Sequence, residues 1–426
     1  MMNKQYYPEL DEIIYTQVLA NGLTVKVVPR PGFTKKLAYF VTDFGSVHQN
    51  FELEGQTVRA PAGIAHFLEH KMFELPGRDI MEEFASMGAN VNAFTSYDMT
   101  AYHFSCSENF HENLKLLLEF VSTPYFEPES VQREMGIIDQ EISMNADTPE
   151  ACVFEDLMKI LYHEHPIRIP ILGTSDTIRT ITPELLHLCH RAFYTPRNML
   201  LCVEGDVDAA EIVRIAEEVL GAELKEAGKK LPLPQEGMNA SQPLCRRVME
   251  VAMPTFQLAF KAEPVGMGDD AMRTEIIGDL AAEVLFGESS SLYLRFYEEG
   301  LIDSSFGGGF ESIDGCAILL CGGDSEKPEE IRDAILSAAQ QLAKTGVPEA
   351  DFLRMKRSSM GRRIRDLDSF DSTCFRICAY HFSGFDYFRF PSVYAEVTQG
   401  EICAFLAQVV QKERCALSII DPKEEG

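Results

Sequence analysis

No stretch of this sequence approaches the run of about 20 consecutive apolar residues that a membrane-spanning helix requires, although 46% of its 426 residues are hydrophobic. The first residues, MMNKQYYPELDEIIYT, are polar and acidic and lack an apolar stretch of the signal-peptide kind. This pattern predicts a cytoplasmic chain that neither crosses nor docks on a membrane. Positive charge is scarce as well. Lys and Arg number 38 against 66 Asp and Glu, and the formal net charge of −28 is spread along the chain. Nucleic acids and anionic membranes need a basic face to neutralise phosphate, so neither is expected as a partner. The charge suits a solvated acidic surface, or a cavity that receives cationic peptide. Eleven cysteines are present, but no CxxC, and the close pairs Cys316/Cys321 and Cys374/Cys378 have no second pair at zinc-finger spacing. An odd, scattered set reads as reduced and mostly buried thiols.

What is there is an ordinary globular composition, long enough for two or three domains. Residues 14–30 alternate apolar and polar around Asn21-Gly22, a strong hairpin signal. A third strand follows at 37–46. Helical periodicity begins at 66–75 and returns in a short helix at 78–88 that ends on Gly88. Residues 89–107 alternate again, as two strands joined near Ser96–Asp98, and 108–146 read as two helices. A further helix starts near Thr148–Pro149, a strand lies at 198–208 and an amphipathic helix follows it. The segment 221–243 is rich in Lys, Gly and Pro and has little periodicity, which predicts a linker. Beyond it the same order returns: strands at 246–263, helices at 269–285 and 289–299, strands at 304–322, three long helices through 383, and a last helix and strand at 399–420. The expectation is an α+β protein of two similar domains, 1–220 and 246–426, joined by 221–245. The repeat lies in the pattern of elements and not in residue identity. The second half holds no histidine pair at the matching place, so the chemistry is expected in the first.

The informative stretch is AGIAHFLEHKMFE, residues 62–74. On a helix, His66 and His70 at i and i+4 share a face about 5–6 Å apart at Cβ and can direct two imidazoles at one tetrahedral metal ion. Glu69 flanks that face, placed to reach a water at the metal. This H-x-x-E-H order is the inverzincin signature. A catalytic zinc site takes three protein ligands and one open position. VQREMGIIDQEISM supplies Glu134 and Glu141, seven apart and so on one helix face. Glu141 is assigned as the third ligand and Glu134 as the carboxylate that holds a ligand imidazole in its tautomer. A lone HxxxH arises often by chance; the conjunction with Glu69 and a later pair of glutamates makes it specific. The other histidines read as structural: His163 and His165 alternate in a loop, His187 and His190 lack a carboxylate partner beyond Glu184, and His103 lies within a strand.

GIAHFLEHKMFE, NAFTSYDMTAY and PYFEPESVQREMGIIDQEISM together resemble the pitrilysin (insulinase) family of zinc peptidases, and the chain length and LYLRFYEEGLIDSSF resemble its short bacterial, two-domain branch. The resemblance covers nearly the whole chain and is strongest over 37–205. It implies two structurally similar domains, each a mostly antiparallel sheet with helices packed on one face, in the clamshell arrangement of the LuxS/MPP-like metallohydrolases. It implies Zn2+ held by His66, His70 and Glu141, with Glu69 as the general base and Glu134 as the outer glutamate. The strand Asn92-Ala93-Phe94-Thr95 would be the edge to which a peptide adds as an extra strand, read through its backbone irrespective of sequence. The implied activity is a metalloendopeptidase acting on unfolded or short peptides. Its implied assembly is a homodimer, or a heterodimer with a related metal-free subunit. One departure stands out. The family carries an Arg and a Tyr seven apart in the second half; aligned on Gly300-Leu301, those positions fall on Phe296 and Asp303, with Arg295 and Tyr297 out of phase. A non-catalytic or partner-dependent subunit that binds peptides or serves assembly is therefore an alternative, and a zinc amidase with a non-peptide substrate is another.

Overall fold

The structure, a computed structural model, describes residues 2–423. Its chain packs into two units whose boundaries do not follow chain order. The first comprises Met1–Ile142, Pro170–Pro232 and Asp366–Phe388; the second comprises Ser143–Ile169, Leu233–Arg365 and Arg389–Gly426. The linear division expected around 221–245 thus leaves out two exchanged segments.

The first unit is built on a seven-stranded sheet. Its strands are β1 (Asn3–Tyr7), β2 (Glu12–Val18), β3 (Thr24–Pro29) and β4 (Lys36–Thr42), with β9 (Ala89–Thr95), β10 (Thr100–Cys106) and β11 (Met199–Gly205). Short pairs lie between them in sequence: β5 (Asn50–Leu53) with β6 (Gln56–Arg59), and β7 (Glu74–Leu75) with β8 (Arg78–Asp79). The sheet order is β1-β2-β3-β11-β4-β10-β9, with β11 parallel to β3 and the other pairings antiparallel. The Asn21-Gly22 turn joins β2 to β3 as its sequence demands, Gly22 sitting at φ +90°. The linker contributes β12 (Lys229–Lys230), which pairs with β5.

One face of this sheet carries the main helices, including α1 (Ile64–Met72), α2 (Ile80–Ser86), α3 (Phe110–Ser122) and α4 (Pro128–Ala146). Alternation decides which residues meet them. Ala38, Phe40, Tyr102, Phe104, Leu201 and Val203 join the large apolar core with Phe67, Leu68, Leu117 and Phe120. The residues between them face the other way. There Cys202 meets Cys374 at 3.8 Å between sulfurs, on the helix Phe370–Phe382 that the second half of the chain supplies. Phe94 likewise meets Phe375, with ring centroids 5.8 Å apart.

The second unit repeats the plan with five strands: β13 (Leu244–Met249), β14 (Thr255–Ala262), β15 (Gly307–Ile313), β16 (Cys316–Asp324) and β17 (Cys415–Pro422). Their order β13-β17-β14-β16-β15, with β17 parallel to β13, reproduces β3-β11-β4-β10-β9 strand for strand. Gly278 of the helix Asp269–Phe286 lets that helix close on the sheet: a Cβ there would lie 2.2 Å from the Phe310 ring. The opposite face receives Cys152 and Val153 against Ile420, from the helix Pro149–Leu161 of the first half. Each sheet therefore has several helices on one side and a single borrowed helix on the other. The expected arrangement of helices on one face is met by the main layer, and the borrowed helix is the addition.

Candidate metal centre

Helix α1 begins where two backbones come close. Gly63 (φ +90°) precedes it, and a Cβ there would stand 2.5 Å from Leu172 O; one on Gly173 (φ +73°) would stand 2.5 Å from Ala62 O. The helix is then buried almost all round: Ile64, Ala65, Phe67, Leu68 and Met72 are core residues. Burying each large apolar side chain contributes about 1.5–3 kcal/mol, which offsets the desolvation of the polar groups they carry inward with them. Those groups are His66, Glu69 and Lys71, at 7%, 8% and 0% exposure.

Helix α4 meets α1 through side chains on one stripe. Ser130 accepts from the Lys71 ammonium, which also pairs with Glu74. One turn on, Glu134 Oε1 accepts from His70 Nδ1 at 2.9 Å. Two turns further, the Glu141 carboxylate spans both imidazoles: Oε1 is 3.6 Å from His66 Nε2 and Oε2 is 3.6 Å from His70 Nε2. Residues 130, 134 and 141 share a face because they are spaced by four and seven. The Glu134 hydrogen bond places the proton of His70 on Nδ1 and leaves the Nε2 lone pair directed at Glu141.

His66, His70 and Glu141 form a possible metal site, since one ligand atom of each lies within 4.8 Å of the others. The donor set fits a small divalent ion. Bonds of about 2.0–2.1 Å in a tetrahedron separate ligands by about 3.3 Å, close to the distances seen. Burial lowers the His66 pKa to about 3, with His70 adding to the effect, so its ring is held in the neutral, ligating form. Its Nδ1 has no hydrogen-bond partner among the described residues. For His70, burial alone would lower the pKa, but the Glu134 hydrogen bond and the charges of Glu69, Glu134 and Glu141 raise it. Burial likewise raises the Glu69 carboxyl, against the lowering by Thr95 and His70. Thr95 donates to Glu69 Oε2 at 2.6 Å.

Asn92–Thr95 lie on β9, an edge of the seven-stranded sheet. The Ala93 N–H is bonded to the Asn92 side-chain oxygen at 2.9 Å and not to β10, so it points to the free edge. Phe94 faces away from α1, stacked edgewise on His103 at 6.2 Å. The remaining histidines have other partners. His165 is fully buried, with Nε2 3.0 Å from Asp314 O. His190 Nε2 bonds Val121 O at 3.1 Å, and His187 lies against Phe126. In the second unit Phe296 is a core residue at 1% exposure and Asp303 accepts from the Ser305 N–H. Tyr297 is 57% exposed, stacked on Tyr293. Two contacts escaped sequence reading: the buried Lys71, whose only signal is a lysine amid apolar helix positions, and the Thr95–Glu69 bond, which has no local signal.

A chain with a buried H-x-x-E-H helix, a carboxylate from a second helix and two repeated α+β units has the makings of a metallohydrolase. The comparisons agree and narrow the class. The model of the insulinase family (peptidase family M16) matches residues 56–175, and that of the peptidase M16 inactive domain matches 180–359. The chain is 33% identical over 424 residues to the uncharacterized zinc protease YmfH of Bacillus subtilis, covering 98% of each. It is 29% identical over 288 residues to an uncharacterized zinc protease of Rickettsia felis, covering 66% of each. An M16-like peptidase from Alicyclobacillus acidocaldarius, 32% identical, superposes with a TM-score of 0.93 over 97% of this chain and 99% of the other. A protease from Helicobacter pylori, at 19% identity and TM-score 0.82, shares the fold over 96% and 99%. The chain belongs to the insulinase family of peptidases, M16.

Proposed function

We propose that the protein is a zinc-dependent metalloendopeptidase that hydrolyses unfolded or short peptides. The convergence of His66, His70 and Glu141 beside a buried Glu69 carries this reading. His66, His70 and Glu141 would hold Zn2+, and Glu134 would keep His70 in its ligating tautomer. Zinc there would polarise the scissile carbonyl and lower the pKa of water toward about 7. Glu69 takes the proton of the attacking water and passes it to the leaving amine. Burial raises the Glu69 pKa, the direction that favours a group which accepts a proton and gives it up again. The free edge at Asn92–Thr95 takes the peptide as an added strand, its backbone groups making the bonds so that sequence matters little. The catalytic chemistry resides in the N-terminal domain. Eleven free cysteines support a reducing, cytoplasmic location. Among the described residues, no helix is long and apolar enough to cross a membrane.

A second reading has its own support. Burial of Phe296 leaves no room for a functional arginine at that position. A homodimer, or a heterodimer with a related metal-free subunit, would then complete the site, and an isolated chain would bind peptides without cutting them. The test is zinc content together with hydrolysis of a quenched peptide library, for the wild type and Glu69→Gln. Bound zinc with turnover that Glu69→Gln abolishes supports the peptidase. Bound zinc without turnover, alone and with candidate partners, supports the subunit, and wild-type turnover in Glu69→Gln overturns the assigned base.

A further inference from the structure

The strand that offers the free edge also reaches the proposed base. In the turn after β9, the Ser96 N–H bonds Met99 O at 2.8 Å, so in the β9–β10 register the residues whose backbone groups are directed at β10 are Phe94, Asn92 and Asn90. Thr95, Ala93 and Val91 alternate with them and turn their backbone groups to the free edge, as the Ala93 N–H bonded to the Asn92 side chain shows directly. The same alternation sends the Thr95 side chain toward α1.

There its hydroxyl has one use. Thr95 Oγ1 lies 2.6 Å from Glu69 Oε2 and 3.4 Å from Thr100 Oγ1, whose own proton goes to Phe44 O at 2.8 Å. The Thr95 proton is therefore committed to Glu69 Oε2. Among the described residues no donor is bonded to Glu69 Oε1, which leaves that oxygen for the water of the proposed reaction. Thr100 is fully buried and tied to the backbone of Phe44, so the platform behind Thr95 is rigid.

We infer that Thr95 is a positioning residue that holds one oxygen of Glu69 and presents the other, and that it couples this orientation to peptide docking because its own backbone lies on the edge that takes the peptide. The inference rests on the reading of Glu69 as base and of β9 as the peptide-binding edge. It does not make Thr95 a group that touches the reacting atoms.

The experiment compares zinc-loaded wild type, Glu69→Gln, Thr95→Val and Thr95→Ser on one quenched peptide. Valine keeps the shape and removes the donor; serine restores it. Thr95→Val is expected to lower kcat about 10–100-fold, the loss typical when an outer hydrogen-bond partner is removed. KM, zinc content and melting temperature should stay unchanged, and Thr95→Ser should recover kcat to within about threefold of wild type. A wild-type kcat in Thr95→Val, a change confined to KM, or a serine variant no better than valine overturns the inference. Activity retained by Glu69→Gln would instead overturn the base reading and leave the Thr95 bond as structure. If the wild type turns over no peptide, a crystal structure of zinc-loaded Thr95→Val decides: a displaced Glu69 carboxylate supports the positioning role, and an unmoved one overturns it.

Discussion

Glu134 offers a graded test of how the second helix tunes the proposed zinc site. Its carboxylate, 17% exposed, accepts from His70 Nδ1 at 2.9 Å. Glutamine at this position keeps an acceptor and loses the charge. A hydrogen bond to a charged group is worth about 1.5–3 kcal/mol and a neutral one about 0.5–1.5, so Glu134→Gln should lose about 1 kcal/mol. That is roughly a fivefold weaker zinc affinity. Glu134→Ala removes the bond altogether and should cost about 10–100-fold. The assay is competition with a chromophoric chelator, begun at pH 8. Acidification adds a second signature. Glu134 contributes to the raised pKa of His70, so in the wild type a proton competes with zinc from a higher pH than in either variant. The deficit of both variants should shrink as pH falls from 8 to 6. Wild-type affinity in Glu134→Ala at pH 8, or a deficit that grows on acidification, would refute the reasoning.

Acid should destabilise the fold through His190, which is 6% exposed and whose pKa burial lowers from 6.5 to about 4. Below pH 6.5 the unfolded chain binds this proton first, so stability falls with pH until the folded group titrates, by up to about 3 kcal/mol. In urea titrations at pH 7 and pH 5, His190→Gln should lose about 2 kcal/mol less than wild type, and an identical loss would sink the assignment. A fragment ending at Pro232 lacks the helix Phe370–Phe382 that covers Cys202 and Phe94; it should fail to unfold cooperatively in urea until that segment is co-expressed, and a cooperative, monomeric fragment would contradict the packing. Native thiol labelling should modify Cys245 and Cys403 first, because the other nine cysteines are buried, while denatured protein should show all eleven. Rapid labelling of Cys202 would count against this fold.

Much of the first unit was readable because its signals are local. Period-two alternation marked β9 and β10, Asn21-Gly22 marked the first hairpin, and the i, i+4 spacing of His66 and His70 needs only helical geometry. The seven-residue spacing of Glu134 and Glu141 put both on one side of α4, where the structure brings them to His70. What could not be read is what depends on distant chain. The strand β1 is exposed at four of its five residues and so shows no apolar alternation. Lys229–Lys230 is strand only because β5 stands beside it. Nothing in the amphipathic pattern of residues 149–161 says which of two similar sheets that helix will cover. Thr95 and Glu69 are 26 positions apart, and only folding makes their bond.

The borrowed helices also set a timetable. Ribosomes finish the seven strands of the first sheet at Gly205, yet the helix Phe370–Phe382 for its reverse side emerges only after residues 233–365. At about 5–20 residues per second the nascent sheet waits on the order of 10 s with the Cys202 side uncovered. During that interval a holdase has a natural target, and the newborn first unit owes its completion to codons far downstream of its last strand.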